Sequence, residues 1–83
     1  MPFVYIVACS DGTFYTGWTT NLAARVAAHN AGHGSVYCRR RRPVRLVYHE
    51  EVPDRAAALR REAAIKRLRR RGKIKLIERI GET

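Results

Sequence analysis

The chain has 83 residues, 46% of them hydrophobic, with 17 Lys and Arg against 7 Asp and Glu and a formal net charge of +10. That length supports one domain, 1–83, near the lower size limit for a self-supporting core. No apolar run approaches the roughly 20 residues of a membrane span, no signal peptide is legible, and Cys9 and Cys38 make no disulfide framework, so a reducing, cytoplasmic setting is expected.

Residues 3–9 and 13–18 are rich in β-branched and aromatic side chains and flank Ser10-Asp11-Gly12, the pattern of a β-hairpin. A two-residue Asp11-Gly12 turn would pair Tyr5 with Trp18 and place Tyr5 and Tyr15 on opposite faces. A three-residue loop with Gly12 left-handed pairs Val7 with Tyr15 and places both phenols on one face. The three-residue loop is expected. Thr19, Thr20 and Asn21 are cap-type residues, after which Leu22, Ala23, Val26 and Ala27 recur at helical spacing until Asn30-Ala31-Gly32. Residues 31–43 read as a polar, glycine- and arginine-rich loop closed by Pro43. Val44 to Val52 reads as a third strand, with Val44, Leu46, Tyr48 and, less cleanly, Val47 available for burial. Asp54 caps a second helix, whose apolar face of Ala58, Leu59, Ile65 and Leu68 runs to a stop at Gly72. A last helix over 73–80 carries Ile74, Ile77 and Ile80. The order ββαβαα predicts a small α/β (α+β) domain: a three-stranded, mostly antiparallel sheet flanked by helices.

Several polar side chains interrupt this pattern. Arg25 is the only Lys or Arg before Arg39 and shares a helix face with Leu22; His29 lies four residues later on the same face. A guanidinium beside an apolar stripe points toward the sheet, where its donor fork suits phosphate oxygens. Glu62 falls between Leu59 and Ile65 on the core side of its helix. A buried carboxylate needs a partner or a metal, and the partners within reach are Lys66 at i+4 or Arg25 across the fold. A zinc site from His29, His33 and Cys38 is disfavoured because Gly32 and Gly34 break the helical spacing.

Phe3-Val4-Tyr5, Tyr15-Thr16-Gly17, the run from Asn21 to His29 and Leu59-Arg60-Arg61-Glu62, in that order, resemble the GIY-YIG nuclease superfamily. The chain is similar to its short, stand-alone, single-domain bacterial members over roughly residues 3–76. The first motif departs from the family pattern by reading Phe-Val-Tyr, and the asparagine that some members place after the glutamate has no counterpart. The resemblance implies a DNA endonuclease in which water attacks in line, leaving a 5′-phosphate and a 3′-hydroxyl. It makes Tyr5 the general base, Tyr15 an orienting hydroxyl, and Arg25 a phosphate contact. From its own position His29 could hydrogen-bond a tyrosine, shuttle a proton, contact phosphate or cap the last turn of its helix, and Glu62, facing the core side, is the candidate ligand of a single Mg²⁺ or Mn²⁺. A phenol with a pKa of about 10 is a poor base at neutral pH unless nearby positive charge favours the phenolate.

The remaining charge has no special spacing. Arg39, Arg40, Arg41 and Arg42, with Lys66, Arg69 and Arg70, are expected to track nucleic-acid phosphates and not to read bases. Tyr37 beside the first run could stack on an unpaired base. With no attached recognition domain, a DNA structure or a partner protein would select the target. Two other readings stay open: a DNA- or RNA-binding module without turnover, and an adaptor for an acidic protein.

Overall fold

The computed structural model describes residues 1–80; the Ile80 side chain, expected on the stripe of the last helix, lies outside the described set. Strand β1 (Phe3–Ala8) runs antiparallel to both β2 (Phe14–Thr19) and β3 (Arg45–Glu51), giving the sheet order β2-β1-β3. Val4, Tyr5, Ile6 and Val7 are each no more than 1% exposed, as a central strand must be when both faces are covered. Alternation along β1 then sorts its side chains into two layers. Val4 and Ile6 pack with Tyr48, Ala58, Ile65 and Leu76, beneath α3 (Arg55–Lys66) and α4 (Arg70–Ile80). Tyr5 and Val7 pack with Cys9, Cys38 and Val44, beneath α1 (Leu22–Asn30) and α2 (Val36–Arg39).

The hairpin adopts the three-residue loop. The Cys9 N–H donates to the Thr13 carbonyl at 2.8 Å, the Gly12 N–H donates to the Cys9 carbonyl at 3.0 Å, and Gly12 has φ 84°. A side chain at that φ would be strained, so glycine is required there. Val7 consequently faces Tyr15, and Tyr5 faces Gly17, which puts both phenols on the α1 side of the sheet. Asn21 and Asp54 cap α1 and α3 through side-chain oxygens that accept from the N–H groups of Ala24 and Ala57.

Three details depart from expectation. Residues 31–43 contain one helical turn, α2, because Ser35 Oγ accepts from the Cys38 N–H at 3.1 Å and caps it; the element order is therefore ββααβαα. Gly72 does not stop α3. That helix ends at Lys66, where the Leu68 N–H turns back to the Ile65 carbonyl, and Gly72 lies inside α4. It lies close against that leucine, since a Cβ there would fall 3.2 Å from Leu68 Cβ. Leu59 and Leu68, expected on the buried face, are 45% and 38% exposed, leaving Ala58 and Ile65 as the buried residues of α3. The ambiguous Val47 marks a bulge: Ile6 faces Tyr48 and Val7 faces Leu46, so Leu46 enters one layer while Val47 and Tyr48 enter the other.

Candidate active site

Helix α1 crosses the face that carries the tyrosines, and its spacing delivers Arg25 and His29 to one of them. The Tyr5 hydroxyl and His29 Nε2 share a hydrogen bond of 2.8 Å, and the Arg25 Nε–H donates to the same hydroxyl at 3.4 Å. His29 is fully buried, and the Ser35 N–H donates to its Nδ1 at 3.3 Å. Gly17 accommodates the Tyr5 ring: a Cβ at Gly17 would fall 2.7 Å from Tyr5 Cζ and nearer still to its oxygen. Gly34 does the same for His29, because a Cβ there would meet Nδ1 and stand 2.7 Å from both Cγ and Cε1. These two glycines are contact surfaces for the site.

Tyr15 joins through its ring, edge-on to His29 with centroids 5.5 Å apart and stacked on Tyr37 at 5.9 Å. The Arg41 guanidinium covers Tyr37 at 3.8 Å, donates to Asp11 Oδ2 at 3.0 Å and thereby ties α2 to the hairpin loop. The Tyr37 ring is thus engaged by Tyr15 and Arg41. Glu62 sits on α3, which packs against the opposite face. Its carboxylate lies 3.6 Å from Lys66 Nζ, and that ammonium stands 6.0 Å from the Tyr15 ring centre. Of the two partners the sequence left open for Glu62, Lys66 is the one found. Among the described residues no hydrogen bond or ion pair joins Glu62 directly to the tyrosines or to Arg25.

The basic residues divide by what they already hold. Arg42 donates to the carbonyls of Arg39 and Asn30, and Arg70 donates to the Gly12 carbonyl at 2.6 Å and covers the Phe14 ring at 4.7 Å. Arg39, Arg40, Lys66 and Arg69 are exposed. Arg39, Arg40 and Arg42 line, with Asn30 and Pro43, an open depression of about 440 Å³. In the sequence Gly34 reads only as a break in helical spacing and Ser35 is given no role, although a Gly-Ser pair ahead of a short apolar turn carries the signal of a helix cap.

The chain matches the GIY-YIG catalytic domain family over residues 1–75. It belongs to the GIY-YIG family. A UPF0213 protein of Staphylococcus haemolyticus is 53% identical over 76 residues, 92% of this chain and 93% of its own length. A UPF0213 protein of Staphylococcus aureus is 50% identical over the same shares. Two solution NMR structures share the fold. One, of a UPF0213 protein from Bacillus halodurans, has a TM-score of 0.60 and 42% identity over 94% of this chain and 84% of its own. The other, of a protein from E. faecalis, has a TM-score of 0.65 and 36% identity over 98% and 86%.

GIY-YIG nucleases generally use a divalent metal, and the donor set tests which kind this chain fits. Among the described residues no three His, Cys, Asp or Glu side chains converge, so an all-protein cage is not what the site provides. Glu62 offers one carboxylate, its side chain 19% exposed and paired only loosely with Lys66. A single carboxylate of this kind is a donor suited to a largely hydrated divalent ion.

Burial dominates the acid–base chemistry of this GIY-YIG site. It pushes Tyr5 above the usual phenol range, outweighing the hydrogen bond and charge of Arg25, which pull the other way. Burial, then the Arg25 charge, holds His29 below the usual imidazole value. The resting pair is therefore a neutral phenol and a neutral imidazole at pH 7. As pH falls below about 6.5, the unfolded chain protonates this histidine while the native one resists, so stability declines. As pH rises above about 10, the unfolded phenol ionises first and stability declines again. Denaturant unfolding across pH is expected to show both limbs. Tyr5→Phe should make the alkaline limb shallower without removing it, since burial raises Tyr48 as well.

Proposed function

We propose that this protein is a metal-dependent endonuclease that hydrolyses DNA phosphodiesters, with Tyr5, Tyr15, Arg25, His29 and Glu62 as its working residues. The observation that carries this reading is the meeting of Tyr5, Arg25 and His29 at one oxygen, on the sheet face that also bears Tyr15. Glu62 would hold a single Mg²⁺ or Mn²⁺, which when bound supplies positive charge to the phosphate oxygens and the leaving group. Arg25 places its remaining donors on a non-bridging oxygen and offsets the charge that builds up in line with attack. Tyr5 takes the proton of the attacking water, and the two nitrogens beside its oxygen stabilise the anion that does so. Tyr15 orients the water or phosphate. Arg39, Arg40, Lys66 and Arg69 follow the strand through its phosphates, with Arg41, Arg42 and Arg70 divided between that task and the contacts described above. Targets would be selected by DNA structure or by a partner protein.

A phenol held above a pKa of about 10 is ionised less than about one part in a thousand at pH 7. Cleavage is therefore expected to climb close to tenfold per pH unit between pH 7 and 9. The assay uses flaps, forks, nicked duplexes and single strands with Mg²⁺ and with Mn²⁺. Activity that survives in a Tyr5→Phe, Glu62→Ala double variant would end the proposal. One observation favours a second reading, a nucleic-acid-binding module without turnover: Tyr5 is only 1% exposed. Salt-sensitive binding with no cleavage of any substrate under either metal would select that reading.

A further inference from the structure

Beside the tyrosine site lies an element that the hydrolytic reading does not use, the Gly34-Ser35 segment and the turn of α2 that it opens. The Ser35 N–H donates to His29 Nδ1 at 3.3 Å, while Nε2 lies 2.8 Å from Tyr5 Oη. A neutral imidazole has one N–H and one lone pair, and a backbone N–H can only donate. With Nδ1 accepting from Ser35, the ring hydrogen must sit on Nε2. The ring cannot evade this by rotating half a turn, since carbons would then face both Ser35 and Tyr5 and both hydrogen bonds would be lost. His29 is fully buried, and Gly34 presses on the ring closely enough to exclude any side chain. Ser35 is itself fixed, in an extended conformation at φ −73° and ψ 154°, by the cap its Oγ forms with the Cys38 N–H.

We infer that Ser35, through its backbone N–H, is a positioning residue that locks His29 as the Nε2–H tautomer and makes Tyr5 Oη the acceptor of two N–H groups, from His29 and Arg25. Both lone pairs of the phenol oxygen are then occupied, and its own hydrogen is left for a third group. A direct relay from Tyr5 to His29 is closed, because Nε2 already carries a proton. Neutral Tyr5 instead offers its hydrogen to whatever enters the site, and the tyrosinate keeps both donors once that proton has gone. This last consequence rests on the hydrolytic reading; the tautomer does not.

The test is spectroscopic and needs no turnover. Long-range ¹H–¹⁵N correlation of the histidine rings at pH 7 is expected to give His29 a pyridine-like Nδ1 and a pyrrole-like Nε2. The same pattern should persist in Tyr5→Phe, because the partner that sets it is Ser35. Chemical synthesis of the chain with an ester oxygen in place of the Ser35 N–H removes the donor and keeps the Oγ cap. It is expected to move the ring hydrogen to Nδ1. A pyrrole-like Nδ1 or an imidazolium in the native protein would overturn the assignment. An ester chain that keeps the hydrogen on Nε2 would overturn the role of Ser35. Loss of DNA cleavage with the tautomer intact would count only against the hydrolytic reading.

Discussion

Glu62→Ala is expected to reduce metal-dependent DNA cleavage at least about 100-fold while changing unfolding free energy by no more than about 0.5 kcal/mol. The separation follows from what Glu62 holds. Its partner is Lys66, one helical turn away at 3.6 Å and half exposed, and such i,i+4 pairs contribute a few tenths of a kcal/mol. Glu50 is the informative control. It is also partly buried, but it accepts from the Tyr48 hydroxyl and from Arg61, binding β3 to α3. A glutamine there keeps one acceptor oxygen but loses the charge and turns an NH₂ donor toward the Tyr48 hydroxyl or the Arg61 guanidinium. Glu50→Gln should therefore cost about 1–2 kcal/mol and leave cleavage at its wild-type rate once the protein is folded. Thermal melts and a cleavage assay in Mg²⁺ and Mn²⁺ measure both variants. Glu62→Gln that cuts within a few-fold of wild type would remove the carboxylate from the mechanism.

How much of this was legible in the chain depended on whether the cause was local. The hairpin register could be derived because Ser10-Asp11-Gly12 has a turn chemistry of its own, and from it the shared face of Tyr5 and Tyr15 follows. The caps at Asn21 and Asp54 and the common face of Arg25 and His29 are likewise matters of spacing. α2 was not legible: four residues, Val36 to Arg39, are too few to show a helical period. Gly72 carries the signal of a stop, yet it lies inside α4 close against Leu68, a contact that spacing does not announce. The arginines were the least legible. A run of like charges reads as a surface for phosphates, whereas Arg41, Arg42 and Arg70 spend donors on Asp11, Asn30 and Gly12, partners 30, 12 and 58 positions away. The state of Tyr5 also depended on tertiary context. A nearby cation would favour the phenolate; Arg25 is there, but removing the phenol from water outweighs it.

Gly34→Ala is expected to lower stability by about 1–3 kcal/mol, or roughly 5–20 °C in melting temperature for a domain of this size. The added methyl would occupy the space of the His29 ring, meeting Nδ1 and standing 2.7 Å from Cγ and Cε1. That ring has nowhere to go: it is fully buried, bonded to Tyr5 on one side and edge-on to Tyr15 on another. The segment must lift instead, taking the Ser35 N–H from Nδ1 and loosening α2, which holds the buried Cys38. Gly17→Ala is expected to divide its cost differently. Its methyl meets the outer end of the Tyr5 ring, which hinges at Cα and Cβ, so part of the overlap is relieved by tilting the phenol. Tilting carries the oxygen away from His29 Nε2 and Arg25 Nε, and a displacement on the order of 1 Å at a reacting group costs about 100-fold in rate. The two variants should therefore separate, Gly34→Ala chiefly in melting temperature and Gly17→Ala chiefly in cleavage. Equal melting temperatures for Gly34→Ala and the parent would mean that the 33–36 segment yields to the methyl and does not hold the His29 ring in place.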